Sequence, residues 1–94
     1  MNDYEMTFVL YAEEERFKNG KEQVKKELEQ VGAKIEKEED LGDRSLAYPI
    51  KKEERGHYLY FETQIEPEKL TDLDRSLKLA SEILKYLFIR KDNK

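Results

Sequence analysis

The chain has 94 residues, with 18 Lys plus Arg, 22 Asp plus Glu, no Cys and no Trp. That length supports one core, so residues 1–94 read as a single domain and a two-domain organisation is excluded. Apolar residues at 37% and charged residues at 43% predict a thin core under a wet surface, while a net charge of only -4 and the 6 Tyr and 4 Phe argue against disorder.

Residues 4–11 alternate as an extended strand, with Tyr4, Met6, Phe8 and Leu10 on one side and Glu5, Thr7, Val9 and Tyr11 on the other. A charged stretch follows in which Phe17, Val24, Leu28 and Val31 fall on one helical stripe, stopped by Gly32. Two starts compete for this helix: the acids at 13–15, and a capping-box pattern at Asn19 and Glu22. Residues 34–41 read as a weak polar strand anchored by Ile35 and Leu41, with a bend or bulge at Gly42. Leu46, Tyr48 and Ile50 resume the alternation, which predicts a core or half-core place for Tyr48. Pro49 cannot donate a ladder hydrogen bond, so this strand is expected at a sheet edge.

After a charged turn over 51–56, residues 57–65 form the cleanest strand, with Leu59, Phe61, Thr63 and Ile65 on one face and Tyr58 and Tyr60 on the other. Pro67 opens a second helix with a Leu70, Leu73, Leu77 stripe, and residues 83–90 close the chain as an apolar strand. Two β-α-β halves with right-handed crossovers give an α+β, ferredoxin-like β-α-β-β-α-β sandwich. It is a four-stranded antiparallel sheet with two helices on one face. The first and third strands are central, so Thr7, Val9, Tyr11, Tyr58 and Tyr60 are expected to share an uncovered surface suited to docking.

Charge is unevenly spread. Residues 1–15 hold five acids and no base, whereas 44–58 carry Arg44, Lys51, Lys52 and Arg55 against two acids. Lys85, Arg90 and Lys91 occur in a stretch without an acid. An anionic partner is expected at these two basic places. The absence of Cys removes thiolate nucleophiles and Cys-bound zinc, and His57 has no second His to share a metal, so no cofactor or metal is expected. The acids at 13–15 and 38–40 have no apolar setting that would shift their pKa, and read as solvated faces. His57 reads as structural. Met1-Asn2-Asp3-Tyr4-Glu5 lacks the order of a secretory signal, and no long apolar run is present, which predicts a cytosolic protein with no membrane contact.

The stretch Leu41-Gly42-Asp43-Arg44-Ser45-Leu46-Ala47-Tyr48-Pro49-Ile50 closely resembles the signature of the bacterial small-subunit ribosomal protein S-six family. Tyr4-Glu5, Gly32-Ala33-Lys34-Ile35 and Gly56-His57-Tyr58 agree with it, so the resemblance covers essentially the whole chain. It implies a non-catalytic constituent of the small ribosomal subunit, bound to the central domain of 16S rRNA cooperatively with ribosomal protein S-eighteen. Arg44 matches a basic position of the motif and inherits an RNA or partner contact. Ser45 stands where a second basic residue is common, and Asn2-Asp3 where basic residues are frequent. Both departures point to weak direct RNA binding, with a basic partner supplying most of the phosphate contacts.

Together the contact candidates for RNA or partner are Arg44, Lys51, Lys52, Arg55, Tyr58, Tyr60, Arg90 and Lys91. An RNA recognition motif shares the element order, but Arg55-Gly56-His57-Tyr58-Leu59-Tyr60-Phe61-Glu62 places Tyr58 where a small residue belongs and Glu62 where an aromatic belongs. Tyr58 and Tyr60 could still stack on single-stranded bases. An acyl-phosphate hydrolase would need an anion-cradling loop, and Ala12-Glu13-Glu14-Glu15 would repel a phosphate. A homodimer joined at a strand edge is the third alternative.

Overall fold

The computed structural model describes residues 1–91. Its elements are β1 (Asn2–Tyr11), α1 (Glu14–Gln30), β2 (Lys34–Ile50), β3 (Glu53–Ile65), α2 (Pro67–Lys78) and β4 (Ile83–Arg90). They form a four-stranded antiparallel sheet in the order β2-β3-β1-β4, the ferredoxin-like arrangement, with β1 and β3 in the centre. The alternation of β1 and β3 decides what each face holds. Met6, Phe8, Leu10, Leu59, Phe61 and Ile65 are fully buried under Val24 and Leu28 of α1 and Leu73 and Leu77 of α2. The Phe8 and Phe61 rings meet edge to face, with centroids 5.6 Å apart.

The start of α1 is settled by Glu13, whose carboxylate accepts from the backbone N–H groups of Glu15 and Arg16. The Asn19 and Glu22 pair lies inside the helix. Pro67 occupies the first turn of α2 beside Glu68, where its missing N–H costs nothing. Tyr86 ties β4 to this helix: its hydroxyl donates to Asp74 Oδ1 at 2.7 Å and contacts the Asp74 carbonyl at 3.1 Å.

Burial and the Asp74 carboxylate push the Tyr86 phenol up to about 12, while Tyr86 and Lys78 hold the Asp74 carboxyl below its usual range. An unfolded phenol ionises near pH 10. The neutral hydroxyl therefore stabilises the fold fully below about pH 10 and loses that contribution as pH rises toward about 12. Tyr86→Phe is expected to cost about 1 kcal/mol at neutral pH. Its urea midpoint should also fall less than that of the native chain between neutral and roughly pH 11. Parallel curves for the two proteins would contradict this role.

The second strand differs from expectation. Residues 34–41 and 46–50 belong to one strand, whose register against β3 shifts between Ile35 and Lys37, between Asp40 and Gly42, and between Ser45 and Ile50. Gly42 takes a φ of 86°, which only glycine adopts cheaply, and its N–H is capped by Asp40 Oδ1 at 2.9 Å. Ile35 is a half-exposed edge residue and no core anchor. The charged turn shrinks from six residues to Lys51 and Lys52, both left-handed at φ 50° and 68°, and Ile50 pairs with Glu53. This is the geometry of a tight two-residue hairpin.

Those bulges bend the tip of the β2–β3 hairpin across the sheet face that the helices leave bare. Leu46 and Ile50 pack there against Val9, Tyr11 and Leu84, and the Lys51 ammonium donates to the Ile83 carbonyl at 3.2 Å. Val9 and Tyr11, expected on the uncovered surface, are consequently buried in a small second core. Tyr48 shows the converse. The four residues 46–49 face a single residue of β3, so Tyr48 swings out and is 66% exposed.

Candidate interaction surface on the open sheet face

What remains of the bare face is set by cross-strand neighbours. Thr7 lies between Tyr60 and Leu87, Val9 between Tyr58 and Lys85, and Glu5 between Glu62 and Ile89. Successive rows thus differ in character. Toward the hairpin tip, the Arg44 guanidinium carbon sits 5.7 Å from the Tyr58 ring centre, with Lys85 two strands beyond, across Val9. A shallow groove lined by Val9, Leu46, Tyr48, Ile50, Tyr58 and Lys85 separates the tip from β4. Toward the other end Glu5, Glu39 and Glu62 share the face with Lys37, which pairs with Glu39 at 2.8 Å, and with Lys91. Tyr60 donates to Glu62 Oε2 at 3.0 Å, and burial together with Glu62 and Glu5 raises its phenol pKa.

Ion pairing divides the candidate cations. Arg55 is engaged by Asp43 at 2.9 Å and by the Ser45 hydroxyl at 3.1 Å, on the helix side of the sheet. Lys91 binds Glu62 at 3.1 Å, which lowers the Glu62 pKa, and its N–H donates to the Asp3 carbonyl. Arg90 sits exposed opposite Tyr4 at the sheet rim, also on the helix side. By contrast Arg44 donates from Nε to the Leu41 carbonyl at 3.2 Å, and Lys51 to that of Ile83, so neither charge is neutralised by these contacts. Lys52 is exposed at the turn, and among the described residues no carboxylate pairs with Arg44, Lys51, Lys52 or Lys85. The structure therefore brings Arg44, Lys51, Lys52 and Tyr58 to one end of the open face. It leaves Arg55, Arg90 and Lys91 apart from them, and it places Tyr60 among the ion-paired Glu39 and Glu62 and beside Glu5.

Three contributors were not singled out from sequence. Alternation with Leu46 and Ile50 points Tyr48 to a core or half-core place, and Leu87 and Ile89, exposed by 54% and 51%, lie in a strand that reads as uniformly apolar. The alternation Lys85, Leu87, Ile89 in β4 was the available indication, hidden because Tyr86 and Phe88 on the opposite side are apolar too. His57 stacks on Phe17 at 3.7 Å and bonds Asp40 through Nε2. Burial alone would raise the Asp40 pKa, but this contact and the Gly42 N–H outweigh it and keep the carboxyl low. Among the described residues no group of three or more His, Cys, Asp or Glu is placed to hold a metal, and no helix is long and apolar enough to cross a membrane.

Residues 3–90 match the family model described as Ribosomal protein S6. Small ribosomal subunit protein bS6 of Treponema pallidum (strain Nichols) is 42% identical over 93 residues, covering 99% of this chain and all of that protein. The Treponema denticola protein of the same name is 40% identical over 90 residues, covering 96% of this chain and 97% of its own. The crystal structure of 30S ribosomal protein S6 from Thermotoga maritima superposes with a TM-score of 0.85 at 31% identity, over 96% of this chain and 87% of that one. The C-terminal domain of the MgtC protein from Mycobacterium tuberculosis shares the fold alone, with a TM-score of 0.62 at 9% identity, over 97% of this chain and 88% of that one.

Proposed function

The chain belongs to the ribosomal protein S6 family of the small ribosomal subunit, and from that premise we propose that it binds the central domain of 16S rRNA in the cytoplasm cooperatively with ribosomal protein S-eighteen. The family is a structural one and not an enzyme family. The observation that carries the proposal is the division of the open face. Among the described residues Arg44, Lys51 and Lys52 have no carboxylate partner and gather at the hairpin tip, while beside Tyr60 Glu39 is paired with Lys37 and Glu62 with Lys91, next to Glu5. Three cations can displace only a few counterions, so RNA held by this chain alone is held weakly. A basic protein partner would bring the remaining phosphate contacts and share the RNA with this chain.

Arg44, Lys51 and Lys52 are the RNA contacts in this reading. Tyr58, under Arg44, is a partner or base contact. Arg55, Arg90 and Lys91 contribute less, because the first and last are held by the chain's own acids and Arg90 lies on the other side of the sheet.

Filter binding of a central-domain RNA fragment, with and without S-eighteen and across salt concentrations, tests the proposal. Tight binding is expected only with the partner. Replacing both Arg44 and Lys52 by Ala should flatten the slope of log K against log salt by about 1.4 to 1.8, at roughly 0.7–0.9 per lost contact. Equal RNA affinity with and without S-eighteen would overturn the cooperative reading. Tight binding of short single-stranded RNA by the isolated chain, lost on Tyr58→Ala, would instead favour a module of the RNA recognition type.

A further inference from the structure

Leu41 is the extra residue of the β2 bulge, standing between the pairs Asp40↔Leu59 and Gly42↔Tyr58. Its carbonyl and the Gly42 N–H belong to one planar, trans peptide unit, so they point in opposite directions and turn together. Asp40 Oδ1 holds the N–H end at 2.9 Å, and Arg44 Nε donates to the carbonyl end at 3.2 Å. The same Oδ1 bonds His57 Nε2, and the His57 ring is stacked on Phe17 of α1. A contact chain therefore runs from the helix side of the sheet, through one peptide plane, to a cation on the open face.

We propose that Asp40, latched by His57, is a positioning residue for Arg44: it fixes the 41–42 peptide plane and so presents the guanidinium on the open face above Tyr58. The inference rests on the reading of Arg44 as an RNA contact. Glycine at φ 86° lets a peptide plane turn more readily than other residues do, so this plane needs a clamp. With Nε committed to Leu41 and the Tyr58 ring 5.7 Å away, Arg44 offers a phosphate its two terminal nitrogens, a fork that Lys lacks.

The clamp depends on pH. A hydrogen bond to a carboxylate is stronger from an imidazolium than from a neutral imidazole. Lys21 of α1 acts on Asp40 with the same sign; Glu38 is taken up by Lys21 and Lys25, and Asp43, opposite His57, by Arg55. The hold is thus firmest below the pH at which His57 gains its proton, and it fails where Asp40 gains one, below the ordinary carboxylate range.

His57 is the single His of the chain, so its ring resonances report its titration directly. Exchange of the Arg44 Nε–H with water, read by NMR on the full chain and corrected for the intrinsic rate, should slow as His57 becomes protonated. The Asp40 side chain is half-exposed, and Asp40→Ala should keep the native circular dichroism spectrum. In this variant the exchange should be about two- to tenfold faster, the range of one net hydrogen bond, and should no longer follow the His57 titration. His57→Gln, an uncharged donor at every pH, should retain part of the hold and lose its pH dependence.

With S-eighteen present, Asp40→Ala should weaken RNA binding about two- to tenfold, the effect of leaving one long side chain to be ordered on binding. Asp40→Ala combined with Arg44→Ala should bind no more weakly than Arg44→Ala alone, because the first acts through the second. Unchanged Arg44 exchange in Asp40→Ala, exchange that ignores the His57 titration in the native chain, or losses that add in the double variant would each overturn the proposal. Undiminished binding by Arg44→Ala would overturn the RNA reading itself, a failure the exchange measurement does not share.

Discussion

Replacing Phe61 by Ala is expected to lower the free energy of unfolding by about 3–5 kcal/mol. Phe61 is fully buried, stands on a central strand opposite Met6, and presents its ring edge-on to Phe8 at an interplanar angle of 81°. Truncation loses the transfer free energy of the ring and leaves a hole that two rigid strands cannot close. A chain of this length carries about 5–14 kcal/mol in total, so the variant sits near the threshold of folding. Urea denaturation followed by circular dichroism measures it, with Phe61→Leu as the control expected to cost less than about 1.5 kcal/mol. A loss below about 1 kcal/mol for Phe61→Ala would mean that the helix-side core can repack, contrary to its packing.

The second large effect is expected at Gly56, on the opposite face. A Cβ there would lie 2.5 Å from Val9 Cγ1 and 3.4 Å from Leu46 Cδ2. Val9 is β-branched and buried, so it has no alternative rotamer to retreat into, and Leu46 belongs to the overhanging hairpin. In an unconstrained strand Gly→Ala would stabilise by about 0.4–1 kcal/mol through the unfolded chain, so the sign of the change is diagnostic. Here Gly56→Ala is expected to destabilise by about 1–3 kcal/mol through overpacking. Adding Val9→Ala removes the overlapping methyl, and the double variant should be more stable than the sum of the two single losses implies. Additive losses would show that the hairpin does not press on Val9 in solution.

The helix-covered side was legible because period-two and period-3.6 patterns speak directly to it. Tyr4, Met6, Phe8 and Leu10 alternate without exception, residues 83–90 coincide with β4, and Pro67 marks the start of α2. The opposite side was not, since alternation says which residues share a face and nothing about what folds over that face. Val9 and Tyr11 are buried by a tip whose bend depends on Gly42 and on the unpaired run 46–49, a tertiary effect. The same bend exposes Tyr48. Charge followed a similar division. The basic segment 44–58 could be read, but Asp43 neutralises Arg55 across the hairpin, and only the register of two strands reveals that partnership.

The order β2-β3-β1-β4 places the first strand in the middle of the sheet, between neighbours that arrive much later in the sequence. Only the β2–β3 hairpin joins adjacent segments. Every other ladder requires the ends of a long loop to meet before any apolar contact compensates the lost chain entropy. The rate at which this molecule acquires its shape is thus governed by how fast distant segments find β1.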